Sequence, residues 1–83
     1  MVSQHTKQVA DLAKAIYATR LQQDLEANHL HRFVAIEPQS GEHFLANTFS
    51  QAVTLARTAH PERIAFVIHV GHEAAIHLGG MAT

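Results

Sequence analysis

The run from Ile64 to Gly71, IAFVIHVG, constrains the fold more than any other part of the chain. Side chains alternate between two faces along a strand, and here both alternating sets are apolar except for His69. A strand with one wet face would alternate apolar with polar residues. The pattern therefore predicts a strand that is covered on both faces and lies inside a sheet.

The composition is that of a small folded domain with few charges. The chain has 83 residues, of which 47% are hydrophobic and 16% are charged, and this balance is typical of a globular protein. Few charges on a small surface leave apolar area exposed unless another chain covers it. We therefore expect a homo-oligomer, with a dimer as the simplest case, or a protein partner.

Charge and cysteine content disfavour several classes of function. Six basic and seven acidic residues give a formal net charge of −1, so no positive field favours nucleic acid. No apolar run approaches the roughly 20 residues of a membrane span. The absence of cysteine fits a reducing compartment. We expect a cytoplasmic protein that binds neither nucleic acid nor membrane.

The N-terminal third predicts one long amphipathic helix from about Ser3 to Asn28. Its apolar residues recur every three or four positions, as they do along one helical face. They are Val9, Leu12, Ala13, Ile16, Tyr17, Leu21 and Leu25.

The rest of the chain predicts a hairpin, a second helix and a second hairpin. The strands of the first hairpin, residues 32–37 and 42–47, flank a turn from Pro38 to Gly41. Thr48 to Gln51 has the capping-box pattern, and it opens a helix that ends before Pro61. The predicted apolar stripe of this helix consists of Ala52, Leu55, Ala56 and Ala59.

We therefore predict an α+β fold class in which a long N-terminal helix is followed by a β-hairpin, a helix and a β-hairpin (αββαββ). Its four-stranded sheet is packed by helices. Residues 1–31 form the N-terminal amphipathic helix and residues 32–80 the ββαββ core, all within one domain. The pattern leaves open the strand order, and whether the first helix packs on its own sheet or across a dimer.

The second hairpin, whose last strand is predicted from Ala74 to Leu78, has a register that can be argued. A two-residue turn at Gly71 and His72 would mix apolar and polar residues on one face. A turn centred on Glu73 keeps the apolar face intact, and we favour it. It pairs Ile68 with Leu78, Val70 with Ile76 and His69 with His77.

The eight histidines invite a metal-binding interpretation, because imidazole is a common ligand for zinc and related ions. The best candidates are His69 and His77, joined by His43 on the other hairpin. No motif such as HExxH is present, and histidines in a sheet are more simply explained as polar surface. We expect no metal site and no cofactor, and we retain these three residues as the candidates.

Enzyme chemistry has little support in the sequence. His72 and Glu73 beside Gly71 offer a base in a tight turn, and Ser40 and Ser50 are hydroxyls near strand ends. None of them lies in a nucleophile elbow, and there is no glycine-rich phosphate loop. We expect no catalytic residues and no enzymatic activity.

Two resemblances follow from these residues. Phe33 to Glu37, the turn to Gly41, the Thr48-led helix, Pro61 and the run from Val70 to Ala75 resemble a family of small bacterial proteins of uncharacterised function. That likeness covers Phe33 to Gly79 and implies no activity.

Residues Phe33 to Ala59 also resemble antitoxins of the HicB type, in which a hairpin precedes a threonine-capped helix rich in alanine. The DNA-binding segment that usually follows in that family has no counterpart here. The likeness therefore implies binding to a protein partner.

The function predicted from the sequence is a non-enzymatic module for protein interaction or self-assembly. An antitoxin-like partner of a small toxin is one alternative. A histidine-based metal or small-ligand binding protein is the other.

Overall fold

A computed structural model of the protein describes residues 4–71 and 76–79. Three helical elements, the middle one a π-helical turn, form the N-terminal region, and one further helix lies between the strands. In chain order the elements are α1 (Gln4–Ile16), the π turn (Tyr17–Leu21), α2 (Gln22–Asn28), β1 (Phe33–Glu37), β2 (Glu42–Ala46), α3 (Phe49–Ala59), β3 (Ala65–His69) and β4 (Ile76–Gly79).

The strands pair in the order β2-β1-β3-β4, and every pairing is antiparallel. β3 lies between β1 and β4, and its residues from Ala65 to Ile68 are buried. The prediction that the apolar run around Ile64 to Gly71 forms a strand inside the sheet, covered on both faces, is confirmed.

The predicted αββαββ arrangement, with a four-stranded sheet packed by helices, needs correction. The layers whose side-chain packing the structure describes are one long helical segment, the antiparallel sheet of β2, β1 and β3, and one further helix. β4 is described only through the backbone pairing of its four residues with β3. The sequence pattern predicted four equivalent strands. Alternation shows which residues of a strand share a face, but it does not show how completely helices cover that strand.

The two helical layers lie on opposite faces of the sheet. One buried cluster joins α1 and α2 to one face, and its members are Val9, Ala13, Ile16, Leu25, Val34, Ile36, Phe66, Ile68 and Val70. The other joins α3 to the opposite face through Ala35, Ala46, Ala52, Ala56, Ala65 and Val67. The first helix therefore packs on its own sheet. The alanines of α3 let its backbone approach the strands closely.

The N-terminal helix is interrupted by the π turn, which the sequence did not predict. At about 100° per residue, an unbroken α-helix would place Leu25 about 120° away from Ala13. A π turn holds about one extra residue, which reduces that offset to about 20°. Leu25 thus joins the buried face at 3% exposure, whereas Leu12, predicted on the same stripe, is 48% exposed.

The predicted register of the second hairpin is wrong by two residues. Ile68 lies opposite Ile76, Phe66 opposite Leu78, and Val67 opposite His77. A shift of two keeps every residue on its own face, so the apolar pattern cannot distinguish the two registers. The turn itself, residues 72–75, lies outside the described residues.

The loops that lead into and out of the first hairpin follow the predicted chemistry. Gly41 closes the turn with a φ of +82°, and its N–H donates to the Glu37 carbonyl at 2.9 Å. Thr48 caps α3 by accepting from the Gln51 N–H at 3.1 Å. The Gln51 side chain accepts from the N–H of Asn47, at 3.3 Å, instead of from that of Thr48.

Candidate interaction surface at the sheet edge

Of the three histidines considered as metal ligands, His43 and His69 lie on opposite faces of the sheet, and His77 is described only through its backbone pairing. His43 lies opposite Ile36, whose side chain is in the cluster beneath α1. His69 lies opposite Phe33, which packs on the α3 side of the sheet. His77 pairs with Val67 and not with His69. The register error therefore removes the predicted His69–His77 pair.

His69 is held by an aromatic contact and a backbone hydrogen bond. Its ring stacks on Phe33 with centroids 4.2 Å apart and planes 8° from parallel. Its Nε2 donates to the carbonyl of His31 at 3.1 Å, so that nitrogen carries a proton and offers no lone pair to a metal. Among the described residues, no group of three His, Cys, Asp or Glu side chains is placed to hold a metal ion.

The opposite end of the sheet carries a polar cluster built around Glu37. Its side chain is 1% exposed, and its oxygens accept from the N–H groups of Gln39 at 2.9 Å and Ser40 at 2.8 Å. The Arg63 guanidinium donates to it at 3.3 Å. Burial alone raises the pKa of Glu37, but the hydrogen bonds from Ser40 and Gln39 and the charge of Arg63 outweigh it, so that the pKa lies below its ordinary value.

Ser40, Glu42 and His60 lie beside this cluster but do not form a nucleophilic triad. The Ser40 hydroxyl lies 3.4 Å from Nε2 of His60, and the Glu42 carboxylate contacts that same nitrogen. A relay would need the acid on the other ring nitrogen. The hydroxyl also donates to the Glu37 carbonyl at 3.3 Å and accepts from the Glu42 N–H at 3.1 Å, which is how a turn is stabilised.

The hydrogen bonds at the start of β1 determine which of its residues direct their backbone N–H and C=O groups toward β3 and which toward β2. His31 has a φ of +73°, its N–H donates to the Val70 carbonyl at 3.1 Å, and the Val70 N–H donates to the Arg32 carbonyl at 2.8 Å. This is a β-bulge of the type that usually has glycine at its first position. It fixes Arg32 and Val70 as a hydrogen-bonded position of the β1–β3 ladder.

Alternation along an antiparallel ladder then assigns the remaining backbone groups. Val34 and Ile36 bond toward β3, whereas Phe33, Ala35 and Glu37 bond toward β2. The β2 residues that bond to β1 are their partners, Ala46, Phe44 and Glu42. The N–H and C=O groups of His43 and Leu45 therefore point away from the sheet.

Within residues 4–71 and 76–79, no strand pairs with this outer side of β2. The backbone amides that flank the outward groups are already bonded within the chain, because the Gly41 N–H bonds to Glu37 and the Asn47 N–H to Gln51. The open edge therefore consists of four backbone groups, two on His43 and two on Leu45. We call these four groups the β2 edge.

A groove of about 450 Å³ runs beside the β2 edge, between β2 and α3. Its lining residues are Arg32, Leu45, Ala46, Asn47, Ser50, Gln51, Thr54 and Leu55. Leu55 is 44% exposed, so its predicted place on the buried stripe of α3 is wrong. In the part of the chain that the structure describes, the exposed Arg32 makes no ion pair.

Sequence reasoning missed Arg32, Leu45 and Leu55 as surface residues of one site. The capping box did place the start of α3, and the alternation of the first hairpin did place Leu45 on a strand. Nothing in the pattern identified β2 as an edge strand, and without that fact Leu55 is indistinguishable from a core leucine.

Comparison with known proteins adds no relative, since no protein-family model, curated protein or solved structure matches the chain. None of the described helices is both long enough and apolar enough to cross a membrane.

Proposed function

We propose that the protein is a non-enzymatic interaction module that binds an extended polypeptide strand along the β2 edge. The observation that supports this most is that the backbone N–H and C=O groups of His43 and Leu45 point outward from an edge strand, beside an open groove. Strand addition of this kind is a common way for a sheet to recognise another chain.

The sequence of β2 does little to protect its edge. Edge strands usually carry lysine, proline or a bulge that discourages pairing. β2 reads EHFLA and has none of these, and its register with β1 is regular over five residues. Its one acidic residue, Glu42, lies at the end of the strand and contacts His60.

The groove supplies the side-chain contacts that backbone pairing lacks. A net hydrogen bond contributes about 0.5–1.5 kcal/mol, so four bonds alone give weak binding. Leu55, on the β2 side of α3, offers apolar surface to those side chains of a bound strand that face α3, whereas the partly buried Leu45 packs toward the cluster beneath α1. Burial of one leucine side chain adds about 1.5–3 kcal/mol.

Binding of a synthetic strand tests this function. The probe is a capped octapeptide with the sequence of residues 41–48, GEHFLANT, titrated calorimetrically into dilute protein. We expect saturable one-to-one binding. Leu55→Lys should weaken it about tenfold or more, because a charge replaces the apolar wall of the groove.

Leu12→Lys is the matched control. Leu12 is exposed to a similar extent, at 48%, but it lies on α1 and on the other side of the sheet. It should leave the peptide affinity unchanged. Equal weakening by both lysine variants, or no binding of the peptide to the unaltered chain, would contradict the proposal.

No contact among the described residues favours the antitoxin-like role or the histidine metal site over strand addition. An antitoxin-like chain would bind its toxin through some protein surface, and among the described residues the β2 edge is a surface whose outward backbone groups are assigned.

A further inference from the structure

We infer that the strand bound at the β2 edge is β2 of a second copy of this chain, in an antiparallel pair with its two-fold axis at Phe44. This inference rests on the proposed function, because it names the occupant of the same site. It joins the two sheets edge to edge and places the two α3 helices on the same side of the joined sheet.

The available backbone groups select this axis. With the axis at Phe44, His43 of each copy faces Leu45 of the other, and all four groups of the β2 edge on each copy are used. An axis at His43 would need the Gly41 N–H, which is bonded to Glu37 at 2.9 Å. An axis at Leu45 would need the Asn47 N–H, which is bonded to Gln51 at 3.3 Å.

Charge complementarity favours a second copy over an arbitrary strand. In this pairing Glu42 of one copy lies opposite Ala46 of the other. Ala46 lines the groove together with Arg32, which has no ion pair in the described part of the chain. The dimer therefore brings a carboxylate beside a guanidinium twice.

Like charges stay apart in the same arrangement. The two Glu42 residues lie at opposite ends of the paired strands, separated by four residues or about 13 Å. That separation exceeds the Debye length of about 8 Å at physiological ionic strength. The exposed Leu55 of each copy flanks the joined strands, where it would be covered.

Charge exchange between copies tests the pairing. We expect Arg32→Glu and Glu42→Arg each to weaken the dimer about tenfold in sedimentation equilibrium, because two attractive contacts become repulsive. A mixture of the two variants should recover most of the lost affinity, since both contacts in the mixed dimer are then attractive. Thermal unfolding of each variant alone checks that it is folded.

Three outcomes separate this inference from the function on which it rests. Recovery on mixing supports the second copy as the occupant. A chain that stays monomeric up to about 1 mM but still binds the octapeptide overturns the inference and leaves strand addition intact. A dimer that neither variant weakens, or that mixing does not restore, overturns the Phe44-centred pairing, whereas strand addition is judged by the peptide titration.

Discussion

Glu37 is a buried carboxylate at the end of β1, and its oxygens hold the turn that leads to β2. Two backbone N–H groups and Arg63 donate to it. A buried charge is tolerated when hydrogen bonds and an opposite charge replace water. The turn that sets the position of the edge strand therefore depends on one ionised side chain.

We predict that Glu37→Gln destabilises the fold by about 1–3 kcal/mol at neutral pH, because it removes the charge from these hydrogen bonds. The pKa of Glu37 is lower in the folded chain than its ordinary value. Its contribution is therefore complete above the unfolded-state pKa and is lost as the pH falls through the lowered folded-state pKa. Urea denaturation at a series of pH values from about 7 to about 3 measures both effects.

Glu62→Gln is the control, since Glu62 is exposed and makes no ion pair in the described part of the chain. The unaltered protein and the Glu62 variant should lose stability in acid with a steeper slope than the Glu37 variant. The same slope in all three would show that Glu37 does not contribute in the way described.

The π turn aligns the apolar faces of α1 and α2, so that one long helical segment covers the sheet with a continuous apolar face. It brings Leu25 back into line with Ala13, and both are buried at 3% and 1% exposure. The residues of the turn gain no buried position of their own. The turn therefore contributes to packing by aligning α1 with α2.

Deletion of Ala18, which is exposed within the π turn, should let the segment close as a regular α-helix. Eleven residues at about 100° each then separate Ala13 from Leu25, so Leu25 keeps its place on the buried face with an offset of about 20°. We therefore predict that the deletion changes the free energy of unfolding little. Leu25→Ala should cost about 2–5 kcal/mol both in the unaltered chain and in the deletion background. A much smaller cost of Leu25→Ala in the deletion background, measured by chemical denaturation, would contradict this account of the turn.

Sequence patterns predicted whether a segment is a helix or a strand better than they predicted the register of the strands or the rotation along the long helix. The period of two along Ile64 to Gly71 predicted a buried strand, and the structure confirms it. The β3–β4 register was wrong by two residues because that shift preserves the faces. The π turn was missed because seven apolar residues over three heptads fit a regular helix approximately, and only the burial of Leu25 and the exposure of Leu12 distinguish the two.

The fold as a whole is a sheet between two helical layers, with the long helix on one face and α3 on the other. Its strand order puts β2 at the edge. That order could not be predicted, because several antiparallel arrangements share one alternation pattern. The groove, which depends on β2 being the edge strand and on Leu55 overhanging it, was beyond prediction for the same reason.

Amide hydrogen exchange at three neighbouring residues of β2 tests strand addition most directly. Phe44 bonds to β1, whereas the N–H groups of His43 and Leu45 point outward. In dilute, unoccupied protein we predict slow exchange at Phe44 and fast exchange at His43 and Leu45. With the edge occupied, by saturating octapeptide or by a second copy at high concentration, the two outward amides should slow while Phe44 stays slow. Fast exchange at His43 and Leu45 under both occupied conditions would contradict the account.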